Sequence, residues 1–397
     1  MTAPRLVCLT NIPTPYRLFL FRRMRERLRE RGWEFEAWFM GSSESDRHWT
    51  FANSDFQFPY RFLGRARFRI GSNTLYWNHE IRRVLRDTRP DILLISGAWI
   101  HPTTLLATAS SHPKRKIFWS ESHLGSIRYR GFVTAAARRC MLSRFSEFAV
   151  PGTLARGYVE HHSPGAQIYY LPNLVDPTVF EGNVRMYKRS TTFGSTRGKY
   201  DNRKVLLIVA RLVEEKGLLP FLEGIGKLSR QNQSKLAVRI AGSGRLRKPL
   251  EHSIARQSVD VRLIGQKTAS ELAELYAQAD GFCLPSLSDP NPISVIEAMW
   301  AGLPLLLSSR VGNYPECLDH GRNGFLFDSR DPESIANAIS RWLALSPAAL
   351  NSFGEKSLQI ARSEFDPDTV VSNFLDDVLQ GSASRPESQL ESTTASR

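Results

Sequence analysis

DGFCLPSLSDPNPISVIEAMWAG, Asp280 to Gly302, sets a short apolar strand, a loop of Ser, Asp and Pro, and a helix in immediate succession. The strand is read at Gly281 to Leu284, and the helix is expected to start at Asn291 as N-cap with Pro292 in its first turn. The free N–H groups and dipole of a helix start placed after a strand and a loop form an anion site, suited to a phosphate. Two carboxylates flank it. Asp289 precedes the helix and Glu297 lies inside it, and Pro290 and Pro292 argue against one continuous helix through both.

Working outward, the same alternation of short apolar runs and helical patterns continues in both directions. C-terminal to the stretch come LPLLLSS (303–309) and GFLF (324–327); N-terminal to it come VLLIVA (205–210), LAVRIAG (236–242) and VRLIG (261–265). The first half repeats the pattern with RLVCLT (5–10), EFEAWFM (34–40), DILLIS (91–96), KIFWS (116–120) and EFAV (147–150). Strands alternating with helices argue for parallel sheets of the doubly wound kind, here two units in tandem. Such units bind ligands at the carboxyl ends of their strands, in a cleft between domains.

The chain has 397 residues, enough for two cores, and its 42% apolar and 23% charged content is that of a globular protein. Its net charge of +14 is unevenly placed. Residues 1–203 hold 32 Lys and Arg against 16 Asp and Glu, whereas residues 204–397 hold 21 against 23. A basic first half suits an anionic surface. The stretch from about Arg17 to Arg31 puts Leu18, Phe21, Met24 and Leu28 at helical spacing and fills most other positions with Arg. Its basic face is either solvated or rests on acidic phospholipid headgroups. Residues 41–75 read as irregular, aromatic and basic, another candidate for a groove or a membrane contact.

The four cysteines (Cys8, Cys140, Cys283, Cys317) are far apart, so neither disulfides nor a zinc site is expected. A cytoplasmic protein without signal peptide or membrane span is expected, placed if anywhere on the inner face of the membrane. Basic residues without a recognised binding module give no nucleic-acid partner.

Two further segments carry cations or glycines at strand ends. In ARLVEEKG, Arg211 and Lys216 leave a strand together and could grip a diphosphate or pair with Glu214 and Glu215. In IAGSGR, Gly242 and Gly244 bring backbone close to a phosphate or form an ordinary turn.

In order and spacing, ARLVEEKG, IAGSG, VRLIGQ, LPSLSDPNPISVIEAMWAGLPLLLS and VGNYPECLDHGRNGFLF resemble the nucleotide-sugar domain of retaining glycosyltransferases of family 4, which have the GT-B fold. The segment LPNLVDPTVF looks like that family's connector, with Leu174 where glycine is usual. The resemblance covers about residues 170–330 strongly and the first half weakly. It implies that Arg211 and Lys216 bind the donor diphosphate, that Glu297 accepts the ribose hydroxyls, and that Asp289, where the family has glutamate, lies beside the donor sugar. It also places Gly242, Gly244, Gly265, Asn291, Ile293 and Ser294 on the donor side. On the acceptor side stand Pro15, Tyr16, Arg17 and His101, and the strand end WSESHLGS adds Glu121 and His123 as catalytic candidates. Trp99 follows another strand end.

The implied activity is transfer of a sugar from a nucleoside diphosphate donor to a lipid-linked or polysaccharide acceptor, with retention and with neither cofactor nor metal, in cell-surface polysaccharide or glycolipid synthesis. The alternatives are a non-catalytic scaffold or a sugar-nucleotide epimerase of the same fold. The only Asp-x-Asp, Asp366-Pro367-Asp368, is read as a helix cap rather than a metal site. The expected domains are 1–175 for the acceptor, 176–203 as a linker with an inserted loop, and 204–365 for the nucleotide sugar. A helix at 366–380, returning to the first domain, and a disordered tail at 381–397 complete the expectation.

Overall fold

The computed structural model describes residues 3–43, 51–64, 67–70, 73–127, 131–188 and 203–381. The expected tail from residue 382 onward and the linker residues 189–202 lie outside the described residues. The chain forms two compact units: one of Met1–Glu121, Tyr129–Pro172 and Pro367–Arg397, the other of Ser122–Arg128 and Asn173–Asp366.

In the first unit, β1 (Arg5–Thr10), β2 (Glu34–Phe39), β3 (Tyr60–Phe62), β6 (Ile92–Ser96), β7 (Arg115–Trp119), β8 (Glu147–Val150) and β9 (Gln167–Tyr170) form one sheet. Its order is β3-β2-β1-β6-β7-β8-β9, with every pairing parallel. The hairpin β4 (Arg67–Ile70) and β5 (Asn73–Tyr76) stands apart as a two-stranded sheet. The strands read as unbroken apolar runs because parallel strands are covered on both faces; Leu6 to Leu9 and Leu93 to Ile95 are fully buried. The segment 41–75 proves more regular than its composition suggests. It holds β3 to β5 in part, and Phe56, Phe58, Tyr60 and Phe62 pack with Phe39 in an aromatic cluster. Burial of Phe56 and Phe58 accounts for part of that composition, while Phe62 and Phe68 stay exposed.

Helix α1 (Pro15–Glu30) is capped by Thr14 and buries Leu18, Phe21, Met24 and Leu28, the residues of the apolar stripe. The helices α2 (Ile81–Thr88), α3 (Pro102–Ala109), α4 (Phe132–Leu142) and α5 (Thr153–His162) complete the connections.

The second unit has one parallel sheet in the order β12-β11-β10-β13-β14-β15. Its strands are β10 (Lys204–Val209), β11 (Leu236–Ala241), β12 (Asp260–Gly265), β13 (Gly281–Leu284), β14 (Leu305–Ser308) and β15 (Gly324–Phe327). Residues 176–188, expected as the start of a linker, are helical instead: a π-turn at Thr178–Gly182 runs into α6 (Asn183–Lys188). Phe180 sets its edge on Tyr276, 5.8 Å between centroids, so burial of an aromatic ring fastens this piece to the second unit. Between the strands run α7 (Leu218–Gly226), α8 (Arg230–Ser234), α9 (Arg247–Ile254), α10 (Ala269–Gln278), α11 (Ile293–Trp300), α12 (Tyr314–Cys317), α13 (Pro332–Leu343) and α14 (Pro347–Glu364).

The last helix, α15 (Pro367–Gln380), belongs to the first unit and packs on α1. Asp368 pairs with Arg27 at 3.0 Å, and Asp376 with Arg31 at 2.8 Å. Part of the basic face of α1 is therefore neutralised by this chain's own carboxylates.

In both sheets the order reverses beside the first strand: between β1 and β6 in one, between β10 and β13 in the other. A doubly wound sheet takes its ligand outside the carboxyl ends of the strands at such a reversal. The two loops that leave β10 and β13 therefore frame the candidate site of the second unit.

Candidate active site

The loop after β10 is Ala210 to Gly217, and it ends in a 3-10 turn, Glu214–Lys216. The loop after β13 is bound to it through main-chain hydrogen bonds. The carbonyl of Glu215 accepts from the N–H of Leu287 at 2.8 Å and of Ser288 at 3.1 Å. Gly217 sits at the join with φ +65°, and a Cβ there would stand 2.0 Å from the Pro285 carbonyl. Only glycine allows both the backbone angle and the approach. This stapling brings Lys216 to Asp289, 73 residues away in sequence, where ammonium and carboxylate form an ion pair with both side chains largely buried.

The expected alternative partners are engaged elsewhere or differently. Glu214 pairs with Arg245, whose guanidinium holds its carboxyl below the ordinary value. Arg211 is exposed and has no side-chain partner among the described residues. The site thus presents one held cation and one free one at the same strand end. Gly242 and Gly244 have a structural reason as well: a Cβ on either would stand 1.9 Å from the Ala210 carbonyl or 2.4 Å from that of Leu212. Gly265, at the end of β12, has open space where a Cβ would stand, and its carbonyl accepts from Gly242 N–H at 2.8 Å.

Helix α11 begins one residue later than its sequence suggests. Pro292 is the N-cap, and no side chain caps the helix; Asn291 lies outside it, with both amide atoms buried and without a partner. Pro292 takes an extended ψ of 124°, which carries the chain away before the Asn291 amide can reach back to the first turn. The N–H groups at Ile293 and Ser294 are left without a side-chain cap, as an anion site requires. Ser294 is buried and Ile293 half-buried.

Further along α11, Glu297 accepts a hydrogen bond from the Tyr276 hydroxyl at 2.8 Å. Burial pushes the Glu297 carboxyl up to about 7, against the opposing pull of that hydrogen bond. Tyr276 is fully buried, and its phenol is held well above its ordinary value by burial and by Glu297. It also donates toward the Ser294 carbonyl at 3.2 Å, so one hydroxyl ties the carboxyl to the helix start.

His123 falls in the second unit, together with Asp289. Its main chain is fixed by Ser126, whose hydroxyl accepts from His123 N–H at 3.0 Å and donates to its carbonyl at 2.8 Å. Burial lowers the imidazole's affinity for a proton, while the Asp289 charge raises it. The ring lies where Cβ atoms on Gly125 and Gly312 would come within 3.0 Å. Nε2 is buried without a partner. Around the same loops, Ser286 Oγ and Asn313 Oδ1 are also buried and unpartnered, although Asn313 donates to the Pro292 carbonyl at 3.1 Å. Buried polar atoms are almost always paired, so this concentration marks a place that a ligand or water completes. Ser286, Asn313 and Tyr276 are the residues that sequence reasoning missed. Asn313 stands in the quoted VGNYPE run, and that was its only signal.

The remaining candidates stand in the first unit, at the carboxyl ends of β1, β6 and β7. Arg17 is buried, with its guanidinium 3.6 Å from the centre of the Trp119 ring and its Nη2 donating to Glu121 Oε1 at 3.0 Å. Its Nη1 is buried and unpartnered. Two residues expected in separate roles, an acceptor contact and a catalytic carboxylate, therefore form one ion pair. Pro15 is exposed at the helix start and Tyr16 is half-buried. His101 is buried edge-on to Tyr76 with both ring nitrogens unpartnered, and burial pulls its pKa down to about 4. Trp99 lies under Arg138, 5.7 Å from ring to guanidinium.

Comparison with known proteins agrees with this geometry. Residues 192–359 match the family described as glycosyl transferases group 1. An uncharacterized glycosyltransferase of Methanocaldococcus jannaschii is 31% identical over 185 residues, 46% of this chain and 46% of that protein. The GalNAc-alpha-(1->4)-GalNAc-alpha-(1->3)-diNAcBac-PP-undecaprenol alpha-1,4-N-acetyl-D-galactosaminyltransferase of Campylobacter jejuni is 20% identical over 259 residues, 65% of this chain and 67% of that one. The first of these alignments spans less than half the relative's length. Among solved structures, HepE of Anabaena in complex with UDP and glucose superposes with a TM-score of 0.72 at 14% identity, over 94% of this chain and 99% of that one. At that identity the likeness shows the fold, two Rossmann-like sheets of the GT-B class.

Proposed function

We propose that this protein is a glycosyltransferase that moves a sugar from a nucleoside diphosphate donor to a saccharide or lipid-linked acceptor, in the synthesis of a cell-surface polysaccharide or glycolipid. The observation that carries this reading is the meeting of Lys216, Asp289 and the uncapped start of α11 at the β10/β13 reversal, with Arg211 free beside them. The UDP and glucose of the Anabaena complex and the undecaprenol-linked acceptor in the name of the Campylobacter relative support the two substrate classes.

In this reading the donor diphosphate lies against Arg211, Lys216 and the N–H groups of Ile293 and Ser294. Breaking the anomeric C–O bond builds negative charge on the departing phosphate, and fixed cations and dipoles aimed at that charge lower the barrier without a metal. Glu297 accepts hydrogen bonds from the ribose hydroxyls. Asp289 and His123 face the transferred sugar, one side chain shared with Lys216 and the other neutral in its buried setting. The glycine positions 242, 244 and 265 keep the floor of the site free of side chains. Transfer proceeds with retention, as in the family that the motifs resemble. Tyr16, Arg17, His101 and Glu121 hold the acceptor, and the protein works on the inner face of a membrane.

The test is a panel of UDP-, GDP- and ADP-sugars offered to the full chain, with binding and donor hydrolysis measured. One member binding and being hydrolysed, with both lost in Lys216→Ala, is the expected result. Failure of every donor to bind or turn over would remove the proposal.

A further inference from the structure

Helix α4, Phe132–Leu142, carries the two most exposed large apolar side chains of the described residues, Phe132 at 88% and Val133 at 79% exposure. They are consecutive, at its first turn. Ala136, Ala137 and Cys140 continue the exposed surface at helical spacing, while Arg138, Met141 and Leu142 face inward. Arg139 stands on the same face as Phe132, seven residues or about 10 Å along the axis. Arg144 follows just after the helix. Both arginines are exposed and neither has a side-chain partner among the described residues. From Gly131 to Ser146 there are three arginines and no acidic residue.

The contrast with α1 is informative. Sequence alone directs attention to α1 as the basic helix, yet Arg27 and Arg31 are tied to Asp368 and Asp376. The apolar residues of α1 are buried in the core. Helix α4 has the reverse character, with its apolar edge outside and Arg139, together with Arg144 just beyond its end, free. An exposed apolar edge beside unpaired arginines is the composition of a helix that lies in a lipid interface, apolar side chains below the headgroups and guanidinium groups among the phosphates.

We infer that α4 docks the first unit on an anionic bilayer, with Phe132 and Val133 entering the headgroup boundary and Arg139 and Arg144 meeting lipid phosphates. A bilayer, rather than a protein partner, is favoured by charge: free arginines with no acidic residue among them complement an anionic sheet. No described helix is long and apolar enough to cross a membrane, so contact is made from the surface. The inference deepens the membrane setting of the proposed function and is independent of the donor site.

The experiment is flotation of the full chain with phosphatidylcholine vesicles containing about one-third phosphatidylglycerol, beside vesicles of phosphatidylcholine alone. The wild type is expected to float with the anionic vesicles and to be released by salt. Phe132→Ser with Val133→Ser should lower partition tenfold or more, and Arg139→Ser about fivefold, the ratio expected for one basic residue at such a surface. Met186→Ser, which removes another exposed apolar side chain in the second unit, should change nothing. Circular dichroism and binding of the donor found by the panel establish that each variant is folded. Failure of the wild type to float, or equal flotation of the double variant, would overturn the inference. Self-association lost in the double variant without any flotation would likewise overturn it, in favour of a second copy of the chain. Intact donor binding in either case would leave the proposed function standing.

Discussion

Replacing Tyr276 by Phe removes one oxygen atom, and its consequence can be worked from the structure. The Tyr276 hydroxyl is the group that opposes burial at Glu297 and keeps that carboxyl near 7 rather than higher. A hydrogen bond to a charged group contributes about 1.5–3 kcal/mol, which corresponds to about 1–2 pH units in the carboxyl's titration. Taking a shift of about 1.5 units, the ionised fraction of Glu297 at pH 7.5 falls about eightfold. Only the ionised carboxylate accepts from both ribose hydroxyls, so affinity should follow that fraction. The assay is calorimetric titration of the best donor from the panel between pH 6 and 9, a range in which the donor's diphosphate keeps constant charge. Wild-type affinity should rise through about pH 7, the Tyr276→Phe profile should be displaced upward, and the two should converge at the alkaline end. Glu297→Gln should bind weakly and without this pH dependence. Superimposed wild-type and Tyr276→Phe profiles, or affinity that falls as pH rises, would refute the reasoning.

Other consequences concern stability and packing. Burial raises the folded-state pKa of Glu297 from 4.5 to about 7, so the folded protein holds this proton more tightly than the unfolded chain. The resulting destabilisation is absent below about pH 4.5, grows with pH and is complete above about pH 7. Calorimetric unfolding should therefore show Glu297→Gln gaining about 2–3 kcal/mol on the wild type between pH 5 and 8; a gap constant with pH would contradict this. Removing Lys216 alone leaves Asp289 as a largely buried charge without its partner. Lys216→Ala and Asp289→Ala should each lower stability by about 1–3 kcal/mol, with a double variant less unstable than their sum; strict additivity would show the pair to be uncoupled. A Cβ at Gly312 would stand 1.8 Å from the Pro290 carbonyl and 3.0 Å from the His123 ring. Gly312→Ala should thus cost about 2–4 kcal/mol by thermal unfolding and weaken donor binding, the mark of strain at a packed loop; unchanged melting would mean the loop can yield.

Much of the architecture is written in local patterns. Apolar runs of four to six residues separated by helical periodicity specify buried parallel strands, and eleven of the thirteen strands of the two main sheets carry that signal. The short β3 and β9 carry no such signal, because YRF and QIYY mix polar and aromatic residues in runs too short to show a period. The helix after β13 was expected from its proline and apolar run, while its cap was misplaced by one residue. That error has a local cause: Asn is a strong N-cap by composition, but Pro292 fixes the turn that decides whether its side chain can reach the first N–H groups.

The site divides in the same way. Arg211, Lys216, Asp289 and Glu297 could be singled out from residue type, spacing and family resemblance. Their partners could not. Lys216 has two carboxylates next to it in sequence and pairs with neither, choosing Asp289 across 73 residues. Arg17 reaches Glu121 across 104 residues. Tyr276 looks like one more core aromatic until the fold sets its hydroxyl on Glu297. The basic helix α1 looks like a free cationic face until α15 covers part of it, whereas Arg139 on the less conspicuous α4 and Arg144 just after it stay unpaired. The sequence by itself determined strand and helix identity, the tandem of doubly wound sheets and the residue types available for holding a diphosphate, because these follow from hydrophobic periodicity and side-chain chemistry acting within a few residues. Only the tertiary structure decided which charges meet, which polar atoms lose water without gaining a partner, and which basic face stays open. Those outcomes depend on which loops the order of a sheet brings side by side, and on how much solvent remains there to screen them.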